Sequence, residues 1–146
     1  MKEVGEEDSS SVAIYPTVRF KECPIQASLG ILGRKWTLMI LRDIGFLKIE
    51  RFNEILRATP GLTPRVLSMR LEELEKMGII RKIEERNSPK IVRWGLTEMG
   101  YDTLPILMRF IAFGSKWYAQ TVFEDRTPRT LKELFPQRIA QQYIRS

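Results

Sequence analysis

The chain has 146 residues, 43% hydrophobic and 29% charged, with a formal net charge of +6, no histidine and one cysteine. That length suits one domain with a real core, and no apolar run approaches the roughly 20 residues of a membrane helix. The missing histidines remove Ser–His and Cys–His catalysis and histidine-containing metal sites. A single cysteine rules out an internal disulfide and a multi-cysteine zinc site.

No glycine-rich phosphate loop is present either, so neither an enzyme nor a bound cofactor or metal is expected. The first residues lack the basic-then-apolar order of a signal peptide, and a cytoplasmic protein is expected. Residues 1–10 carry Glu3, Glu6, Glu7 and Asp8 against Lys2. The remainder is therefore near +9, which favours a polyanionic partner.

Residues 1–11, acidic and serine-rich, read as a disordered tail. Residues 12–21 mix apolar and aromatic side chains around Pro16 and fit either a short strand or an arm packed on a partner. Cys23–Pro24 opens a short helix over 25–32 that ends at Gly33. A helix over 35–42 follows, apolar on nearly every side through Trp36, Leu38, Met39, Ile40 and Leu41, and belongs at the centre of a core. Arg34 and Lys35 at its start fit a phosphate contact or plain solvation.

Residues 51–77 read as two helices joined by a turn. Phe52, Ile55 and Leu56 give the first an apolar face, and the Pro60–Gly61 pair cannot continue it. Thr63 then stands as an N-cap, Pro64 occupies the first helical position, and Gly78 closes the far end. Leu67, Leu71 and Leu74 form the inward stripe. At about 100° per residue, Arg65, Met69, Glu72 and Lys76 point the other way, with Ser68 on their flank. An outward arginine at the start of such a second helix is placed to reach base edges in the major groove. Two antiparallel helices of an ordinary bundle fit the same pattern.

Two short runs come next, 79–85 and 91–96. The second alternates, with Val92, Trp94 and Leu96 on one face and Arg93 on the other. Between them the polar loop 86–90 carries Arg86 and Lys90. A hairpin in this position is either the wing of a winged helix, touching phosphate or minor groove, or a structural cap. Thr97 then caps a helix running to about residue 118, with a kink near Pro105.

That helix bears two apolar stripes. Leu104, Leu107, Met108 and Ile111 form one; Ile106, Phe110, Phe113 and Trp117 form the other. One stripe suits the chain's own core. The second needs another cover, either the same helix of a twin subunit or the C-terminal tail. The tail, 121–146, reads as two short amphipathic helices starting near Thr127–Pro128 and Pro136.

Several motifs taken together resemble one family. They are Cys23–Pro24, GRKWTLMIL at 33–41, RFNEI at 51–55, PGLTPRVLSMRLEELEKMGII at 60–80 and VRWGLTEMG at 92–100. In order and spacing they resemble the HxlR-type winged helix–turn–helix transcriptional regulators over roughly residues 23–118. Arg34 stands where that family usually has a second glycine, the wing keeps only Pro89 of a usual pair of prolines, and Trp94 stands where a tyrosine is usual.

The resemblance implies a mainly α fold with a small β-hairpin wing, dimeric through its terminal helices. With the segments on either side, which have no counterpart in that family, the chain is expected to divide into an acidic, irregular arm (1–20), the winged domain with its dimerisation helix (21–120) and a helical extension (121–146). The resemblance implies a homodimer that binds double-stranded DNA at an inverted-repeat operator and regulates transcription. The DNA-facing residues would be Arg34, Lys35, Arg51, Thr63, Arg65, Ser68, Met69, Arg70, Arg86 and Lys90. The subunit interface would hold Leu104, Leu107, Met108, Phe110, Ile111, Phe113 and Trp117. Cys23 aligns with a cysteine through which some members sense oxidants or electrophiles, although a lone cysteine is more often a small buried hydrophobe. A winged-helix module that meets protein rather than DNA is the alternative from another class.

Overall fold

Eleven elements follow one another in the computed structural model, which describes residues 12–144; the acidic tail expected over 1–11 lies outside the described residues. They are α1 (Pro24–Leu32), α2 (Thr37–Gly45), α3 (Phe52–Ala58), α4 (Pro64–Lys76), β1 (Ile80–Asn87), β2 (Lys90–Leu96), α5 (Glu98–Tyr101), α6 (Leu104–Trp117), α7 (Ala119–Val122), α8 (Leu131–Leu134) and α9 (Gln137–Ile144).

The core forms where the sequence pattern places it, around α2. Ile40, Leu41 and Ile44 meet Ile55 of α3, Leu67, Leu71 and Leu74 of α4, Trp94 and Leu96 of β2, and Leu104 and Leu107 of α6. The helix itself is shifted from the expected 35–42. Trp36 adopts a left-handed backbone (φ 76°) and precedes the helix instead of lying on its face. Its ring lies against the Pro60–Gly61 turn, 3.3 Å from where a Cβ on Gly61 would sit, and Gly61 itself has φ 93°. The far end extends through Gly45, where any Cβ would fall 2.6 Å from Leu104.

Asp43, fully buried on α2, fixes the turn of the helix–turn–helix. Arg42 donates to its Oδ1 from Nε (2.9 Å) and Nη2 (2.8 Å), and Thr59 donates to its Oδ2 at 3.1 Å. A buried carboxylate is tolerated only when paired and hydrogen-bonded in this way. After the turn, Thr63 caps α4 by accepting the Val66 N–H at 3.2 Å, Pro64 lies in the first turn, and Gly78 closes the helix at φ 80°.

β1 and β2 pair antiparallel from Ile80↔Leu96 to Asn87↔Lys90, with an irregularity at Ile83. The connecting turn is only Ser88–Pro89, shorter than the expected loop 86–90. Arg86 and Lys90 thus sit on paired strand ends, which fixes their direction. Arg51 bridges to Arg93, and the Trp94 N–H donates to Glu50 O at 2.9 Å, so the start of α3 is tied to the hairpin.

The expected single helix over 98–118 is two. Thr97 caps α5 by accepting the Gly100 N–H, the chain breaks at Asp102–Thr103, and α6 restarts with Pro105 in its first turn. Proline has no N–H to donate and its ring excludes the carbonyl four residues back, so it ends one helix and begins the next. On α6, Leu104, Leu107 and Met108 are buried in the chain's own interior, which removes them from the expected subunit interface. Ile111 is half-buried. Phe110, Phe113 and Trp117 remain 60%, 58% and 66% exposed, with Ile106 beside them.

The tail does fold back, but elsewhere. The Arg129 N–H donates to Ser115 O at 3.2 Å, Leu131 and Ala140 are buried, and Tyr143 meets Phe46 edge-on at 5.9 Å between ring centres. Its first helix starts at Thr130, which forms a capping box with Glu133, rather than near Thr127–Pro128; α7 is an additional short helix. Residues 12–23 form no strand, and Ile14, Tyr15, Val18 and Phe20 are exposed; α1 buries no residue.

Candidate nucleic-acid interface

The DNA-facing candidates divide by whether their side chains are already engaged. Along α4, Arg65, Ser68, Met69, Glu72 and Lys76 are exposed and make no ion pair or side-chain hydrogen bond among the described residues. Arg70 is different. Its Nε donates to Lys35 O at 2.9 Å, its Nη1 lies 3.3 Å from Glu73, and its side chain is 14% exposed. Arg34 reaches the same carboxylate at 3.4 Å and donates to Gly30 O. These two arginines, both expected on the DNA face, brace α4 against the segment before α2, Arg70 mostly covered and Arg34 still half exposed. Lys35 is an exposed residue, its Nζ 5.0 Å from the centre of the Trp36 ring. The Thr63 hydroxyl is taken up by its cap.

The hairpin shows the same division. Arg93 pairs with Glu84 at 2.9 Å and with Glu50 at 3.0 Å, and Arg86 pairs with Glu84 at 2.9 Å. The hydrogen bond from Arg93, more than any other contact, holds the Glu84 carboxyl below its ordinary pKa. The bond to Glu50 is the main reason the Arg93 guanidinium is raised. Arg86 is therefore committed to a surface pair, whereas Lys90 beside the turn is exposed and makes no ion pair among the described residues.

Between α3, α4 and the hairpin runs an open groove of about 720 Å³. Arg51, Arg57, Lys82 and Lys90 line it together with Glu54, Glu72, Glu75 and Glu85. Of these cations, Arg57 and Lys82 were not among the sequence candidates. Only the fold brings α3 and β1 to one groove, and local spacing carries no sign of it. Lys76 was legible as outward-facing and belongs with the free residues of α4. Cys23, at the start of α1, is exposed rather than buried, and its carbonyl accepts the Ala27 N–H.

A helix–turn–helix with a bare second helix and a hairpin wing defines a class, the winged-helix DNA-binding regulators. Residues 31–122 match the model of the HxlR-like helix-turn-helix family, and the chain belongs to that family. It is 33% identical over 103 residues to the HTH-type transcriptional regulator YdeP of Bacillus subtilis, covering 70% of this chain and 80% of YdeP. It is 35% identical over 98 residues to sll1512 of Synechocystis, described in the same terms, covering 67% and 72%.

Among solved structures, the redox regulator HypR in its reduced form is similar at 30% identity and TM-score 0.59, over 70% of this chain and 99% of that one. The reduced form of the regulator YodB from B. subtilis is similar at 26% identity and TM-score 0.55, over 66% and 94%. The protein is a transcriptional regulator of this family. No helix among the described residues is long and apolar enough to cross a membrane.

Proposed function

We propose that this regulator acts in the cytoplasm as a homodimer on an inverted-repeat operator in double-stranded DNA. The observation that carries this reading is the free outward ridge of α4, Arg65–Ser68–Met69, beside a hairpin whose Lys90 is also free. In this reading Arg65, Ser68 and Met69 meet base edges, and Lys90, Arg51 and Lys35 meet backbone. Phe110, Phe113 and Trp117 of α6, with α1 and the arm before it, form the subunit contact. The two α4 helices then lie about one DNA turn apart, ~34 Å.

Cys23 is the proposed sensing residue. It is exposed at the N-cap position of α1, in the segment assigned to the subunit contact, so its oxidation or alkylation would alter the spacing of the two α4 helices. The similarity to the redox regulator HypR and to the reduced form of the transcriptional regulator YodB supports this. With one cysteine per chain, a disulfide would join two subunits or capture a small thiol.

The test is selection of binding sites from random duplex DNA, followed by titration of the selected site across salt concentrations. An inverted-repeat motif whose affinity falls steeply with salt supports the reading. Absence of any selected motif, or affinity indifferent to salt, refutes it and favours a protein-binding module. Treating wild type and Cys23→Ser with a quinone separates sensing from binding: identical responses would leave Cys23 without that role.

A further inference from the structure

One group on the proposed DNA face has the wrong charge for it. Glu72 lies seven residues after Arg65, so the two differ by about 20° around α4 and by ~10 Å along it. That separation fits within the major groove, about 12 Å wide. Glu72 therefore shares the ridge with Arg65 and Met69, and it also lines the groove toward the hairpin.

Several carboxylates around this face are paired, and Glu54 and Glu75, which line the groove unpaired among the described residues, lie off the Arg65–Met69 ridge, on α3 and about 80° around α4. Glu73 is held by Arg70 and Arg34, Glu84 by Arg93 and Arg86, Glu50 by Arg93, and Glu85 by Lys82. Glu72 makes no such pair among the described residues, although Lys76 stands one turn on, at the spacing that favours one. A bare carboxylate accepts hydrogen bonds and donates none. Beside phosphates it weakens association with every sequence, by about threefold for one charge ~6 Å away in water. That loss is offset only where a base offers a donor, and in the major groove the donors are the exocyclic amines of cytosine and adenine.

We propose that Glu72 is a specificity-determining residue that accepts a hydrogen bond from one exocyclic amine in each half-site and repels duplexes lacking it there. This rests on the reading above that α4 enters the major groove. Discrimination of this kind combines a cognate contact with a built-in repulsion against other sequences.

The experiment is site selection from random duplex DNA with the full chain, with Glu72→Ala, which removes both the charge and the acceptor, and with Glu124→Ala as a charge-matched control in the tail. Glu72 and Glu124 are both exposed, so all three proteins should melt alike. Wild type and Glu124→Ala should select one motif. Glu72→Ala should select the same motif with the preference lost at a single cytosine or adenine per half-site, and should bind unrelated duplex about threefold more tightly. Replacing that base by an analogue without the amine should weaken wild type and leave Glu72→Ala unchanged; which base is found tells cytosine from adenine. An unaltered motif for Glu72→Ala, with unaltered affinity for unrelated DNA, overturns the proposal while leaving α4 as the reading helix. Failure of wild type to select any motif overturns the reading of α4 itself.

Discussion

Helices α4 and α6 are built alike and finish differently. Each buries one stripe, Leu67–Leu71–Leu74 on α4 and Leu104–Leu107–Met108 on α6, and each leaves an opposite face bare. The bare face of α4 carries Arg65, Ser68, Glu72 and Lys76 around one methionine and is well solvated as it stands. That of α6 carries Ile106, Phe110, Phe113 and Trp117, and each such side chain gains about 1.5–3 kcal/mol when covered. The tail folds back onto the body yet leaves this face uncovered. Two bare faces of opposite chemistry call for two kinds of partner, a polyanion for α4 and an apolar surface for α6.

The comparison breaks most severely at α6. Phe110→Glu combined with Trp117→Glu should remove about 3–6 kcal/mol of the proposed subunit association, weakening the proposed dimer by two to four orders of magnitude. Sedimentation should then show monomers whose circular dichroism is unchanged, because neither residue is in the core. A dimer that survives both changes would place the subunit contact elsewhere.

Acting on a buried stripe instead should cost folding rather than assembly. Leu67→Ala is expected to destabilise by about 2–5 kcal/mol, read as a lower urea midpoint. On the bare face of α4, Arg65→Ala should leave the urea midpoint in place. It should cost about 1–3 kcal/mol of binding to the selected site if its guanidinium bonds a guanine. Arg70→Ala provides the contrast, since it loosens the brace to Lys35 and Glu73: stability should fall with sequence preference intact. The smallest expected effect is Lys90→Ala, which should weaken all duplexes alike and make the salt slope shallower by about 0.9. Lys90→Ala with an unchanged slope would take the hairpin off the DNA backbone.

What the sequence disclosed, and what it hid, follows the reach of each interaction. The boundaries of α4 were legible because Thr63, Pro64 and Gly78 act within a few residues of themselves. The inward leucines were legible because helical periodicity alone sorts them. The engagement of Arg70 was hidden because its partners are Glu73 and a carbonyl 35 residues away at Lys35, and an angle on a helix does not disclose them. The loop 86–90 read as too long because its polar composition resembles a turn, while Asn87 and Lys90 pair across the hairpin. Trp36 was drawn into α2 by its apolarity, although its backbone is left-handed and its ring packs over Gly61. The interface residues divided for a similar reason: two apolar stripes were visible on α6, but only the packed chain distinguishes Leu104, Leu107 and Met108 from the three exposed aromatics.

The measurement that bears most directly on both bare faces at once is sedimentation of the unmodified chain with its selected duplex across a range of salt. The proposed dimer predicts two chains per duplex, a folded dimer in the absence of DNA, and affinity that falls linearly on a log–log salt plot with a slope of about −0.9 per phosphate contact. A well-behaved monomer, or a complex indifferent to salt, would contradict it.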